Sequence, residues 1–371
     1  MFYPEKLTLA RKRRGLTKAK LAELSGLSVR TITSYETPSI IDTTSNETVE
    51  RLAEVLRFPV EFFSGELPTT IDSNAVSFRA VTKLSAKLRD ASLAAGDLAL
   101  MLNNWMHKEF ELPPTNLPDY SRDTKMTPEA AAIALRQEFG IGELSIKNIV
   151  HLIESRGVRV FSLAEDCSEV DAFSFWQDGE AFMLLNTQKT YERSRFDAAH
   201  ELAHLVLHKQ LPENRREAEL EADQFASAFL MPRSSFLAKI PLSPSFYQLD
   251  GYKKHWKVSL AAMVKRSHDL KLTTEWQNRA LNIELGKRGY RKSEPNPSCS
   301  ERETSLLLRM ALDYAQEQGR RGIDISEEIM IPVEELRNLT FDHPIFNLEV
   351  IKGKGSPSRF KVHKAPDLKV I

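Results

Sequence analysis

Cysteine is almost missing from this 371-residue chain: Cys167 and Cys299 stand far apart, with no metal-ligand spacing around either. A disulfide framework and a cysteine-built zinc site are thereby excluded, and two isolated thiols suit a reducing cytoplasm. No apolar run approaches the roughly 20 residues that a membrane-spanning helix needs, and no signal-peptide pattern is present, so a cytoplasmic protein with no membrane partner is expected. Net charge is missing too. Basic and acidic residues number 51 each, which argues against a general polyanion binder. There are no internal repeats. What remains is a chain that is 42% hydrophobic, long enough to bury a large core in two or three domains.

The chemistry concentrates at His200-Glu201-Leu202-Ala203-His204. Phe196, Ala199, Leu202, Ala203, Val206 and Leu207 give a broad apolar stripe, uninterrupted by Gly or Pro before Pro212, and predict a buried helix. Residues four apart on a helix share a face, so both imidazoles can reach one metal. The intervening Glu201 lies beside that site, placed to take a proton from water at the metal. A lone histidine in a helical core reads as a satisfied polar group; two at this spacing around a glutamate read as ligands.

A third ligand is needed. His208 continues the series, but eight residues of helix rise roughly 12 Å, too far for the first and last histidine to hold one ion, and His208 reads as a helix-end residue near the C-terminal dipole. A second helix is predicted over 217–231, with Leu220, Ala222, Phe225, Ala226, Phe229 and Leu230 packing and Pro232 as the stop. Glu219 and Asp223 share a face, so one can ligate while the other accepts the N–H of a ligand histidine. Glu217 and Glu221 read as a solvated face, with Glu221 the alternative ligand to Glu219.

The run Arg195 to His208, then Glu219 to Ala226, ending Leu230-Met231-Pro232, resembles the ImmA/IrrE family of metallopeptidases. That resemblance, best over residues 140–235, implies a gluzincin-like core with His200, His204 and Glu219 as ligands of one Zn2+ per chain and Glu201 as the base. Asp223 stands where the family commonly has Asn and can serve as the second acceptor. Upstream, a helix over 146–155, a strand over 158–163 and a hairpin (170–176 and 181–186) turning at Gln177-Asp178-Gly179 are predicted. Phe182 to Leu185 is a candidate edge strand for an extended substrate.

The amino terminus carries a second pattern. A helix from Leu7 is closed by Gly15, Thr17 caps a helix over 18–25, and Gly26-Leu27-Ser28 turns into a third over 29–36. Leu21, Ala22, Leu27 and Ile32 are spaced for one core, which is the helix-turn-helix pattern. Residues 5–65 resemble the Xre/Cro-like family, with Thr37-Pro38 departing from it. The resemblance implies that the third helix enters the major groove, with Val29, Arg30 and Thr33 toward base edges and Lys18, Thr31 and Ser34 nearer the backbone. Arg30 is the expected base reader, since a guanidinium binds guanine bidentately. Arg11 and Arg14 are expected at phosphates.

The expected fold is mainly α with a small β-sheet (α+β). Four blocks are expected: an all-α helix-turn-helix domain (1–66), a helical connector (67–135), a zincin-like peptidase domain (136–291), and a helical or mixed C-terminal region (300–371) that senses or dimerises. The expected function is a DNA-binding transcriptional regulator whose zinc endopeptidase cleaves a repressor-type protein, in a stress, mobile-element or defence setting. The alternative is a non-proteolytic regulator or antitoxin whose zincin fold senses a signal or binds a cognate toxin. Expected partners are a double-stranded DNA operator, bound as a homodimer on paired half-sites, and the protein substrate or toxin.

Overall fold

The computed structural model describes residues 2–37, 45–65, 70–71, 77–78, 85–123, 125–163, 170–209, 214–291, 294, 297–298, 301–347 and 369–370. The cysteines and the loop after Thr37 lie outside them. The chain is mostly helical, as expected, and divides into two compact units. Neither unit is contiguous: the first takes 1–114, 161–170 and 305–371, the second 115–160 and 171–304.

In the first unit the amino-terminal helices are Pro4–Arg13, Lys18–Ser25, Val29–Tyr35 and Asn46–Leu56. Each boundary has a local cause. Thr17, Ser28 and Ser45 accept backbone N–H groups at the second, third and fourth starts, and Gly26 ends the second helix in the left-handed region at φ 68°. Leu7, Ala10, Leu21, Ile32, Leu52, Leu56, Phe62 and Phe63 form the buried core.

The long helix Ala86–Glu109, capped by Ser85, packs against Pro4–Arg13. Three further helices, Leu306–Glu317, Gly322–Ile329 and Val333–Leu339, belong to this same unit. Glu335 on the last of them receives hydrogen bonds from Arg13 (2.8 Å) and Arg14 (2.6 Å), and Trp105 donates to Glu328. The C-terminal helices therefore belong to the same compact unit as the amino-terminal domain. A linear reading assigns residues to neighbours in sequence, and this grouping joins residues more than 300 apart.

In the second unit the motif helix Tyr191–Leu207 lies between the hairpin and the helix Arg215–Leu230, which in turn packs on Pro128–Glu138. The hairpin strands Ala172–Gln177 and Glu180–Asn186 pair antiparallel, Ala172 opposite Leu185 and Gln177 opposite Glu180. Asp178 and Gly179 both take positive φ (51° and 83°) at the turn, as a two-residue loop matched to strand twist requires. Phe182 to Leu185 are not at an edge. Their strand lies between Ala172–Gln177 and the strand that begins at Arg159, and it is buried from Ala181 to Asn186; hydrophobic alternation identifies a strand but not its neighbours. After this core come two short helices, Phe246–Trp256 and Leu260–Asp269, separated where Lys257 adopts φ 56° and Ser259 starts a new cap.

Candidate metal centre and DNA-facing helix

The motif helix starts after Thr190, whose side chain makes no cap hydrogen bond, and is held by the apolar residues along it; it buries His200, Glu201 and His204 almost completely. One turn of helix separates the two histidines, and their Nε2 atoms come to 3.1 Å of each other. Glu219, delivered by the neighbouring helix, places Oε2 3.4 Å from His200 Nε2 and Oε1 3.4 Å from His204 Nε2. His200, His204 and Glu219 are the one group of three His, Cys, Asp or Glu among the described residues that converges tightly enough for a metal.

The donor set fits zinc on geometry. Bonds of about 2.0–2.1 Å at tetrahedral angles place ligand atoms about 3.3 Å apart; the two ring nitrogens stand close to that separation, each has one Glu219 oxygen at 3.4 Å, and one atom from each of the three residues falls within 4.8 Å of the others. Two histidines and one carboxylate leave the fourth corner open, as a catalytic rather than a structural site does. The protonation states also fit. Burial pushes His204 down to about 4, so its ring is neutral at physiological pH. Burial opposes ionisation of Glu219, but with no metal bound the His200 and His204 rings that face it outweigh burial and hold this carboxylate at about 2. The outer face of His200 is held as well: its Nδ1 lies 3.0 Å from Asp223 Oδ1, while Lys265 stands 3.5 Å from Asp223 Oδ2.

Glu201 is fully buried. Burial raises it to about 7, against the pull of His200 and a hydrogen bond from Ser174, with Glu219 and Asp197 adding to the rise. Ser174 Oγ, from the hairpin strand, donates to Glu201 Oε2 at 2.7 Å. The other carboxylate oxygen, Oε1, is buried without a hydrogen-bond partner. An orphaned buried acceptor beside three converging donors is where a water or a substrate proton belongs. Ser174 carried no signal in the sequence: a serine among strand residues has no motif, and its contact with Glu201 spans 27 positions.

Arg195, five residues before His200, holds a second buried site together. Its guanidinium donates to Glu303 and to Ile146 O (2.9 Å), and Glu303 also accepts from Tyr191 Oη (3.0 Å) and Ile149 N (2.8 Å). This carboxylate thus ties the first turns of the motif helix to the start of helix Ile149–Glu154.

In the amino-terminal domain the third helix presents Val29, Arg30 and Thr33 to solvent, and Thr31 and Ser34 are half-buried beside them. Arg30 has no side-chain partner among the described residues. Lys18 lies 3.3 Å from Glu36 and is partly exposed. Arg11 and Arg14 are engaged inside the protein. Arg11 makes a two-pronged pair with Glu36 and donates to Leu16 O, while Arg14 binds Glu335 and closes the helix end at Leu56 O and Arg57 O.

Two family models match the chain, one over each of these regions. Residues 7–63 match the helix-turn-helix family, and residues 153–268 match a peptidase family described as the IrrE N-terminal-like domain. The chain carries a helix-turn-helix domain joined to an IrrE N-terminal-like peptidase domain. None of the curated proteins compared with the chain matches it. The IrrE-like match contains the whole convergent set, from Ser174 through His200, Glu201 and His204 to Glu219 and Asp223. Residues 115–152 and 269–304, including Glu303, complete the same compact unit outside the match. No helix among the described residues is long and apolar enough to cross a membrane.

Proposed function

We propose that the chain is a DNA-binding transcriptional regulator whose IrrE-like domain is a zinc endopeptidase acting on a repressor-type protein. The observation that supports this reading is the meeting of His200 Nε2, His204 Nε2 and the Glu219 carboxylate beside the buried, partnerless Oε1 of Glu201. His200, His204 and Glu219 would hold one Zn2+, which when bound polarises a peptide carbonyl and acidifies water. Glu201 Oε1 accepts the proton of the attacking water and returns it to the departing amine; a carboxyl raised toward neutrality serves in both directions. Ser174 holds Oε2, so that the same oxygen always faces the reaction. Asp223 fixes the ring of His200.

The helix-turn-helix domain supplies the address. Val29, Arg30 and Thr33 are free to meet base edges, with Lys18, Thr31 and Ser34 nearer the phosphates. A single such domain holds DNA weakly, so the operator would be bound as a homodimer on two half-sites. Arg11 and Arg14 would act on DNA only by shaping the domain, given their internal partners.

The test is elemental analysis of the protein purified without added metal, alongside His204→Ala, followed by incubation of the zinc-loaded protein with helix-turn-helix repressor proteins. About one zinc per chain, lost in the variant, and cleavage abolished by Glu201→Gln with zinc retained are the expected results. Regulation that persists unchanged in Glu201→Gln would reject the peptidase reading and leave a regulator or a toxin-binding antitoxin built on the same fold.

A further inference from the structure

His200 and His204 both use Nε2 toward the metal centre, and each must find a partner for its other nitrogen. For His200 the partner is the Asp223 carboxylate. For His204 it is not a carboxylate but a third imidazole: His204 Nδ1 lies 3.0 Å from His208 Nδ1. The far nitrogen of that ring, His208 Nε2, lies 2.8 Å from Glu221 Oε2. His208 is the residue that caps the motif helix, its backbone N–H donating to His204 O. Its side chain is 7% exposed, while that of Glu221 is 42% exposed.

We propose that His208 and Glu221 are a relayed outer-sphere pair that positions His204 and fixes its tautomer for metal binding, as Asp223 does directly for His200. The assignment rests on the zinc reading above and follows from proton counting. A neutral imidazole has one N–H and one lone pair. His204 Nε2 must present its lone pair to the ion, so its proton sits on Nδ1 and is donated to His208 Nδ1. His208 then accepts on Nδ1, carries its own proton on Nε2, and donates it to Glu221. Every atom in the chain is satisfied in this one polarity. In the reversed polarity, His208 donates to His204 Nδ1, the His204 proton moves to Nε2, and the ligand position is blocked.

The pair also explains two residues that the sequence leaves ambiguous. His208 is excluded from the ion itself because its nitrogens face His204 and Glu221. Glu221 is excluded as the ligand because its carboxylate is occupied at His208, while Glu219 reaches both ligand nitrogens. A negative group at the end of each histidine raises the basicity of the nitrogen that faces the metal.

The test measures zinc affinity by competition with a chromophoric chelator for the wild type, His208→Phe, Glu221→Gln and the double variant. In parallel, the ring-nitrogen NMR signals of histidine-labelled, zinc-loaded protein are recorded. Loss of outer-sphere partners weakens metal binding by about 10–100-fold, and His208→Phe is expected in that range. Glu221→Gln is expected to weaken binding less, and the double variant to match His208→Phe, because Glu221 acts only through His208. The spectra should show an Nδ1–H proton on His204 and an Nε2–H proton on His208. Glu221 is on the surface, so its variant should fold and melt like the wild type without metal, which keeps the test valid if His208→Phe does not fold. Affinities within twofold of the wild type, effects that multiply in the double variant, or the opposite tautomers would overturn the pair while leaving the site intact. A wild type that retains no zinc would remove the site and the pair together.

Discussion

Replacing Glu303 tests whether a carboxylate far from the motif in sequence holds the motif helix in place. Glu303 and Arg195 are both buried, and Glu303 accepts from Arg195 and Tyr191 on Oε1 and from Ile149 N on Oε2. Glu303→Ala leaves the guanidinium without its counter-charge and strands donors on both sides. Breaking a buried ion pair from one side costs about 3–5 kcal/mol. Glu303→Gln keeps the shape and one acceptor, but its amide group must turn NH2 toward a donor, so about 1–3 kcal/mol is expected. In a unit of this size each kcal/mol moves the melting temperature by about 2–4 °C. The Ala variant should therefore melt roughly 6–20 °C below the wild type, with Gln between. Calorimetry and urea unfolding read this directly, and zinc content of the folded fraction reads whether His200 and His204 still converge. A Glu303→Ala protein melting within 2 °C of the wild type would refute the argument.

Three other outcomes follow from the same kind of reasoning. Glu335→Ala removes the shared carboxylate of Arg13 and Arg14 in the first unit and should lower its stability by about 2–4 kcal/mol; unchanged urea unfolding monitored on this unit would contradict that role of Glu335. Asp97 is raised by burial to about 6, against a hydrogen bond from Ile71 and the charge of Lys12, so its folded value lies above its unfolded one. The stability it contributes is present below about pH 4 and lost as pH rises through about 6. Asp97→Asn, which still accepts from Ile71 N, should thus be more stable than the wild type at pH 8 by up to about 3 kcal/mol and gain nothing at pH 4; an equal gain at both pH values would show another cause. Arg30→Ala should weaken operator binding by about 1–3 kcal/mol and relax preference at one base pair, seen as a flattened competition profile across operator variants, whereas an unchanged profile would move the reading to Val29 and Thr33.

How far the sequence could be read follows from how far each interaction reaches along the chain. The two histidines and Glu201 were legible because helical spacing alone brings residues four apart onto one face. The caps at Thr17 and Ser28, and the Asp178-Gly179 turn, were legible for the same local reason. Glu219 was read as the third ligand with Glu221 as the alternative, and the resemblance named Glu219 alone. In the structure the separation is made by His208, which occupies Glu221 thirteen residues away in sequence. Ser174, the sheet neighbours of Phe182–Leu185 and the partner of Arg14 were not legible, because each depends on a segment arriving from elsewhere.

Arg14 is the instructive case. Beside a helix-turn-helix pattern, a run of four basic residues reads as a phosphate-binding face. Its partner stands 321 residues away. Arg195 has the same history, with Glu303 at a separation of 108. Both carboxylates come from 301–339, a stretch without any recognisable motif, and both neutralise a buried arginine, Arg13 on the amino-terminal helix and Arg195 on the motif helix, with the half-buried Arg14 sharing Glu335. A buried guanidinium is tolerable only when a carboxylate reaches it. An arginine on the apolar side of a predicted core helix is therefore itself a signal that some distant Asp or Glu is structural. The segment that supplies that acid belongs to the core even where its own sequence shows no motif.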